Sequence, residues 1–162
     1  MKEFSIARRA TLLLSVAFLT ACASGVKLDD VDAKGGSSSG TDFSSQPWND
    51  PKSPLFKRSV YFDFDSYTVK SEYQATLQAH ANYLKANKDR KIKIEGNTDE
   101  RGTTEYNLAL GQRRSEAVRK SLTLLGVSDS QIEAVSFGKE KPKAQGSSEA
   151  AWQENRRADI AY

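Results

Sequence analysis

The sequence predicts an α+β domain: a two-layer sandwich in which a mixed four-stranded sheet carries helices on one side, preceded by a disordered linker. Four short segments alternate apolar and polar residues with a period of two, which is typical of strands with one covered and one wetter face. Two longer segments between them repeat apolar residues at helical spacing. Fully buried parallel strands would be apolar on both faces, so we expect a mixed sheet and the order β-α-β-α-β-(α)-β.

The composition bounds the number of domains and excludes several classes of protein. A chain of 162 residues has room for one domain of ordinary size and an appendage. No apolar run reaches the roughly 20 residues that a membrane span needs. Cys22 and His80 are the only cysteine and histidine, which excludes an intrachain disulfide and argues against a His/Cys zinc site. The 24 basic and 21 acidic residues interleave, so we expect no nucleic-acid partner. We also expect no cofactor.

The first residues have the pattern of an export signal. Lys2, Arg8 and Arg9 precede a short apolar stretch at 10–19, and small residues follow it. A basic start, a short apolar run and small residues before a cleavage point are typical of a secretory signal peptide, whereas a buried helix would not have two arginines against the run. We therefore predict a signal peptide at 1–21 and exclude it from the fold.

The residues around Cys22 resemble the lipobox of bacterial lipoproteins. The segment at 19–22 is Leu-Thr-Ala-Cys. The resemblance implies that Cys22 becomes the first mature residue and carries several acyl chains, which anchor a protein far more firmly than one chain does. Ala23 follows where inner-membrane lipoproteins have aspartate, so the resemblance implies the periplasmic face of the outer membrane. The alternative is a plain secreted protein with an unpaired cysteine.

Residues 22–53 are predicted to form a lipidated N-terminus and a flexible linker. They contain the glycine- and serine-rich run at 35–40 and two prolines, and they lack apolar periodicity. Such a segment cannot bury enough apolar surface to offset its ordering entropy. Phe43 and Trp48 either dock onto the domain or remain exposed. The folded domain is predicted to occupy 54–162.

The four predicted strands each have one apolar face. They lie at 60–64, 92–95, around 135–137 and at 158–162. Side chains alternate across a strand, so every second residue faces the same side. The residues predicted on the alternating apolar positions are Val60, Phe62 and Phe64, then Ile92 and Ile94, then Val135 and Phe137, and finally Ala158, Ile160 and Tyr162.

Two main helices are predicted between these strands, at 72–87 and 105–125. Thr104 is the expected N-cap of the second helix, and Gly126 is the expected residue after its C-terminus. His80 lies close to the apolar face of the first helix, which predicts a core or boundary histidine with one hydrogen bond. Short helical turns are expected at 128–130 and 150–153, where Trp152 should fill the surface rather than bind a ligand.

The loop after the second strand is the first candidate for a functional site. Gly96 and Gly102 bracket a polar, charged segment, and glycines permit the close approach of a ligand to the backbone. Arg114 lies one turn from Leu110 on the following helix and borders its apolar stripe, so it needs a carboxylate partner. The candidates for that partner are Asp63, Asp65, Asp99 and Glu100. An internal salt bridge and a ligand site are both compatible with this pattern.

Residues 60–162 resemble the family of the peptidoglycan-associated lipoproteins and of the C-terminal domain of outer-membrane protein A. The motifs occur in family order and cover nearly the whole domain, which makes them more specific together than singly. One departure is visible, because Asn97 stands where many relatives have histidine. The matching segments are YFDFD at 61–65, GNTDERG at 96–102, YN at 106–107, LGQRR at 110–114, VSFGKEKP at 135–142 and NRR at 155–157.

The resemblance implies non-catalytic binding of the peptide stem of peptidoglycan at its diaminopimelate residue. Asp99 would take the ammonium group of diaminopimelate, and Arg114 would take the carboxylate through its planar fork. It also implies a tether between the outer membrane and the cell wall within the Tol–Pal system, which serves envelope integrity and cell division. The remaining pocket residues implied are Phe64, Asp65, Arg101, Asn107 and Leu110.

Two alternatives remain open on the sequence. The resemblance implies docking to the periplasmic propeller protein of the Tol system, with inner-membrane Tol components as further partners, so the domain could be mainly a protein-interaction module. The acidic residues of the loops could also mimic the carboxylate pair of a glycosidase. An arginine close to them would lower their pKa values instead of raising one for acid catalysis, so we expect no enzyme.

Overall fold

The computed structural model describes residues 46–162. The predicted signal peptide, the predicted lipidation site at Cys22, Phe43 and the linker up to residue 45 lie outside the described residues. The strands are β1 (Ser59–Tyr61), β2 (Ile92–Asn97), β3 (Ile132–Gly138) and β4 (Arg157–Ala161), and the helices are α1 (Gln74–Ala86), α2 (Thr104–Leu124) and α3 (Glu149–Asn155). Single 3₁₀ turns lie at Pro54–Phe56, Ser71–Tyr73 and Asp129–Gln131.

The strands form one mixed sheet in the order β1-β4-β2-β3, which confirms the predicted fold class. β2 and β3 pair in parallel, whereas β4 is antiparallel to both of its neighbours. β1 and β2 therefore run in the same direction. As a result, the loops that follow β1, β2 and β3 meet at one end of the sheet, together with the start of β4.

The core lies between one face of the sheet and helices α1 and α2. Because the helices cover only one face, residues on alternate sides of β2 differ sharply: Ile94 is fully buried and Lys93 is exposed. Burial of each valine, leucine, isoleucine or phenylalanine side chain contributes about 1.5–3 kcal/mol to the free energy of folding. The fully enclosed apolar side chains are Val60, Phe62, Ala81, Leu84, Ile94, Val118, Leu122 and Ala158.

The first strand is shorter than the alternation predicted. It ends at Tyr61, and Phe64 is 61% exposed instead of facing the helices. Asp65 adopts a left-handed backbone conformation with φ of 55°. The chain has therefore left the sheet before Phe64, so a period of two that continues past the strand assigned that residue to the wrong face.

The face of the third strand was also predicted wrongly. Val135 is the partner of Glu95 in the β2–β3 register, so it lies on the face away from the helices. Phe137 is on that same face, where the ammonium of Lys141 lies 4.6 Å from the ring centroid. The helix-facing residues are Ile132, Ala134 and Ser136, because in the register they pair with Ile92, Ile94 and Gly96.

The N-cap of α2 differs from the prediction, whereas the glycine after its C-terminus is the predicted one. Thr103, not Thr104, is the N-cap, and its hydroxyl accepts a hydrogen bond from the Tyr106 amide at 3.2 Å. Both threonines suit the position chemically, so the backbone turn decides between them. Gly126 follows the C-terminus with φ of 92°, which confirms its predicted role. Among residues 46–162 no helix combines the length and apolar character that a membrane crossing requires.

An aromatic cluster closes the end of the sheet where β4 terminates. Of the two alternatives for Trp48, docking is observed: it is 7% exposed and stacks on Tyr162 with the ring centroids 4.3 Å apart. His80 is fully buried and makes two hydrogen bonds rather than the one predicted, to the Tyr162 hydroxyl at 2.6 Å and to the Lys57 carbonyl at 2.9 Å. Both ring nitrogens of the histidine are thus matched.

Candidate functional site

A pocket of about 230 Å³ lies at the opposite end of the sheet, where β1 and β2 end. The loop after β1, the loop after β2 and the N-terminal half of α2 form its walls. All seven residues predicted for the site line this pocket, although their role toward a ligand stays a prediction. The lining consists of Phe64, Asp65, Thr98, Asp99, Arg101, Gly102, Tyr106, Asn107, Leu110 and Arg114.

Two glycines bring α2 close enough to the sheet to form this pocket. A Cβ atom on Gly96 of β2 would lie 1.8 Å from the carbonyl oxygen of Gly111 on α2, so no larger residue fits there. Arg114 follows Gly111 by about one helical turn. The close contact therefore sets the depth at which the Arg114 side chain enters the pocket wall.

Arg114 is fully buried and is held by backbone carbonyls instead of the carboxylate partner that the sequence predicted. Its guanidinium donates to Ser66 O and Asn97 O at 2.8 Å and to Asp63 O at 3.2 Å. These bonds use three of its five N–H groups. One N–H on each terminal nitrogen has no partner among residues 46–162, which leaves a pair of donors suited to a carboxylate.

The charge of Arg114 is not neutralised by an ion pair within the described part of the chain. Burial lowers the pKa of Arg114 to about 10, partly opposed by the attraction of Asp99. The guanidinium therefore remains charged at neutral pH. A buried cation that is held by carbonyl dipoles and by the Phe62 ring, 5.2 Å from the guanidinium carbon, favours an anion in the adjoining pocket.

Asp99 supplies the opposite charge, and it is 4% exposed. Arg101 lies 2.6 Å from its carboxylate and Arg156 lies 3.4 Å from it. Burial alone would raise the pKa of Asp99, but the hydrogen bonds and charge of Arg101, with a contribution from Arg156, lower the pKa below its usual value. Asp99 is thus a fixed anion across the physiological pH range.

Arg101 is packed between two aromatic rings at the mouth of the pocket. Its guanidinium carbon lies 4.1 Å from the ring centroid of Phe64 and 4.0 Å from that of Trp152. The Trp152 indole N–H donates to Glu100 at 3.0 Å. Trp152 therefore borders a pocket residue, in addition to filling the surface as predicted.

Asp65, Tyr106 and Asn107 complete the wall. The Tyr106 hydroxyl donates a hydrogen bond to the Asp65 carboxylate, and this bond raises the pKa of Tyr106. The Asn107 amide donates to the Arg101 carbonyl at 2.8 Å, which fixes the backbone of the loop against α2. Asp65 and Asn107 therefore connect the three segments of the pocket.

Asn97, at the position where the family often has histidine, does not line the pocket. Its side chain is 1% exposed and its amide donates to Glu95 O at 3.0 Å. Its own carbonyl accepts the bond from Arg114. The backbone of Asn97 therefore supports the pocket by holding Arg114.

Sequence reasoning missed several residues of this region. Thr98 and Tyr106 line the pocket, and buried Arg156 holds Asp99 from outside it. Gly102 also lines the pocket, and the sequence indicated it only as a glycine of the candidate loop. Thr98, Tyr106 and Arg156 all belong to the motifs that carry the family resemblance, so motif membership was the available signal. No local pattern indicates that Arg156 reaches Asp99, because 57 residues separate them. Within residues 46–162 no group of three metal-ligating side chains occurs.

Comparison with known proteins gives the class to which this fold and pocket belong. The sequence profile of the OmpA family matches residues 61–156, and the chain belongs to that family. It is 46% identical to the peptidoglycan-associated lipoprotein of Pasteurella multocida over 148 residues, which are 91% of this chain and 92% of that protein.

Two further relatives have the same description. The peptidoglycan-associated lipoprotein of Haemophilus influenzae is 53% identical over 104 residues, covering 64% of this chain and 68% of that protein. The crystal structure of the peptidoglycan-associated lipoprotein from Burkholderia pseudomallei aligns with a TM-score of 0.70 at 68% identity, covering 72% of this chain and 99% of that one.

Proposed function

We propose that this chain is an outer-membrane lipoprotein whose domain binds the peptide stem of peptidoglycan without catalysing a reaction. In the proposed complex the free end of diaminopimelate enters the pocket, with its carboxylate on Arg114 and its ammonium on Asp99. Phe64, Asp65 and Leu110 provide the surrounding walls. The relatives described above are called peptidoglycan-associated lipoproteins, and this supports the proposal.

The observation that carries the proposal is the unneutralised guanidinium of Arg114 beside a pocket that also contains Asp99. A ligand for this pair needs one anion and one cation a few ångströms apart. The ammonium and carboxylate on one carbon of diaminopimelate meet that need, whereas lysine at the same position of a stem peptide lacks the carboxylate.

The expected affinity of a single site is modest. A hydrogen bond to a charged group contributes about 1.5–3 kcal/mol net, and association costs several kcal/mol, so two or three such bonds give micromolar to millimolar binding. Many anchored copies bind the same polymer, and this multivalency raises the overall attachment well above that of one site.

Calorimetric titration with two tripeptide muropeptides tests the site. We would use the chain without its predicted signal peptide, carrying Cys22→Ser to keep it free of lipid. The wild-type pocket should bind the diaminopimelate ligand and bind the lysine ligand at least tenfold more weakly. Arg114→Gln should weaken binding of the diaminopimelate ligand about 100-fold, or about 2.7 kcal/mol, because it removes the positive charge and the paired N–H donors of the guanidinium.

Arg119→Gln is the matched control, because Arg119 lies on the same helix but pairs with Asp129 and Glu116 away from the pocket. It should leave both affinities unchanged. Thermal unfolding separates a loss of the site from a loss of the fold, and Asp99→Asn provides a second site variant. Equal binding of the two muropeptides by the wild type, or full binding by both site variants, would refute the assignment.

The membrane part of the proposal rests on the sequence around Cys22. We infer that residues 1–21 are removed on export and that Cys22 carries the lipid. The full-length chain should partition into detergent, whereas the Cys22→Ser variant should remain in the aqueous phase. Detergent partition of that variant would disprove the anchor.

The second candidate function is docking to the propeller protein of the Tol system over the same end of the domain, with a role in envelope integrity and cell division. The supporting observation is the exposed aromatic surface at the pocket, since Phe64 and Tyr106 line it and are 61% and 44% exposed. A shared surface predicts that saturating diaminopimelate muropeptide lowers the affinity for the propeller protein. Additive binding would place the two partners on separate surfaces.

A further inference from the structure

The carboxylate of Asp99 has no free acceptor in this structure. Its Oδ1 accepts from the Arg101 backbone amide and from Arg101 Nε, both at 3.2 Å. Its Oδ2 accepts from Arg101 Nη2 at 2.6 Å and from Arg156 Nη1 at 3.4 Å. A carboxylate offers about four lone-pair positions, so these four donors fill it. An incoming ammonium group has no place on Asp99 while they stay.

We propose that the Arg101 side chain occupies the position of the ligand's cation on Asp99 and must leave Asp99 before a ligand binds, so that Arg101 determines specificity for a charged ammonium. This inference rests on the proposed function. Departure of the side chain frees one acceptor on each carboxylate oxygen, since Arg101 Nε and Nη2 bond to different oxygens. The backbone amide bond to Oδ1 remains.

Arg101 and Arg156 differ in their freedom to move. The Arg101 side chain is 32% exposed, and its backbone is anchored independently by the Asn107 amide. The Arg156 side chain is 3% exposed and also bonds to the Phe62 carbonyl and to Glu149. Arg156 therefore stays as a fixed support of Asp99, whereas Arg101 is the exchangeable partner.

The displaced guanidinium has other partners nearby. Glu149 and Glu100 both attract Arg101 electrostatically, and the side chains of both are at the surface. Because Arg101 now lies on the rings of Phe64 and Trp152, its departure changes the environment of both rings. Arg101 thus acts as an internal competitor that only another cation replaces at Asp99.

This arrangement predicts a charge requirement on the ligand. A ligand with a free ammonium exchanges one cation on Asp99 for another. If the amino group is acetylated, no cation is available to replace Arg101, and the side chain stays in place. Loss of Arg101 should therefore help the charged ligand and give no such gain with the acetylated one, a difference that a merely structural role would not produce.

The test is calorimetric titration of the chain carrying Cys22→Ser with two diaminopimelate tripeptide muropeptides, one with its free ammonium and one with that amino group acetylated. Arg101→Ala should tighten binding of the ammonium ligand by about two- to fivefold, which is the upper part of the range measured for partly exposed ion pairs such as that of Arg101 with Asp99. Arg101→Ala should not tighten binding of the acetylated ligand. The control Arg119→Ala should change the affinity for neither ligand.

A ligand-induced chemical-shift change in the NMR spectrum of the wild-type protein gives a second readout. The Arg101 Nε–H resonance, assigned by its absence in Arg101→Ala, should move on saturation with the ammonium ligand and stay in place with the acetylated one. Unchanged or weaker binding of the ammonium ligand by Arg101→Ala, or an unmoved resonance at saturation, overturns the role of Arg101 while wild-type binding keeps the proposed function. Absence of wild-type binding to the ammonium ligand overturns both.

Discussion

The two ends of the sheet differ in how completely their buried polar groups are hydrogen-bonded. At the end where β4 terminates, Trp48, Tyr162 and His80 form a closed cluster in which both nitrogens of the histidine are matched. At the end where β1 and β2 terminate, Arg114 is as fully buried as His80, but two of its N–H donors beside the pocket have no partner in the described part of the chain. The same sheet therefore carries one end whose buried polar groups are matched and one end that, under the proposed function, receives the ligand.

The difference shows how a small domain separates stability from binding. Matching every buried polar group removes the desolvation penalty and leaves nothing for a ligand. Leaving a guanidinium short of partners costs stability but creates a strong preference for an anion. Three predictions test whether the two ends are independent, in order of decreasing expected effect.

The largest effect concerns the two tryptophans. Trp48→Ala should lower the free energy of unfolding by about 3 kcal/mol, because it removes a buried ring that stacks on Tyr162. Trp152→Ala should cost less than about 1 kcal/mol, because it removes one cation–π contact and one exposed hydrogen bond. Urea unfolding measures both variants, and similar losses would contradict the proposed division.

A smaller effect concerns the pH dependence of stability. Burial lowers the pKa of His80 below its ordinary value of 6.5, so the unfolded chain binds this proton more tightly than the native one. The contribution of His80 is complete above about pH 6.5 and is lost as the pH falls through the lowered native pKa.

Thermal unfolding of the wild type and of His80→Gln at pH 7.5, 6.5 and 5.5 measures this contribution. The variant should unfold at a lower temperature than the wild type at pH 7.5, and this difference in unfolding temperature should be smaller at pH 5.5. The other ionisable groups are common to both proteins, so the narrowing isolates the histidine. A gap that is constant or widens toward pH 5.5 would argue against a neutral, matched His80.

The smallest effect is expected at the pocket. The pKa of Asp99 is below its usual value and that of Arg114 is about 10, so both keep their charges between pH 5 and 7. Affinity for the diaminopimelate muropeptide should change less than about twofold in calorimetric titrations over this interval, while stability changes through His80. A steep pH dependence of binding would show that the two ends are coupled.

Periodicity predicted the class of fold because each element in this chain buries one face. The spacing at 105–125 and the alternation at 92–95 correspond to α2 and β2 closely. Phe64 and the face of β3 were assigned wrongly, since alternation does not reveal where a strand ends or which face the following loop covers. The family motifs predicted that the seven pocket residues belong to one site, which periodicity alone does not predict.

The sequence alone determined the element order, the mixed sheet and the segments that carry charge, because those depend on local side-chain patterns and short-range backbone preferences. Only the tertiary structure decided that Arg114 binds carbonyls rather than a carboxylate, and that Arg101 and Arg156 occupy Asp99. Arg114 and Ser66 are 48 residues apart, so their hydrogen bond exists only because β1 and β2 run in the same direction and α2 packs closely on β2 at Gly96.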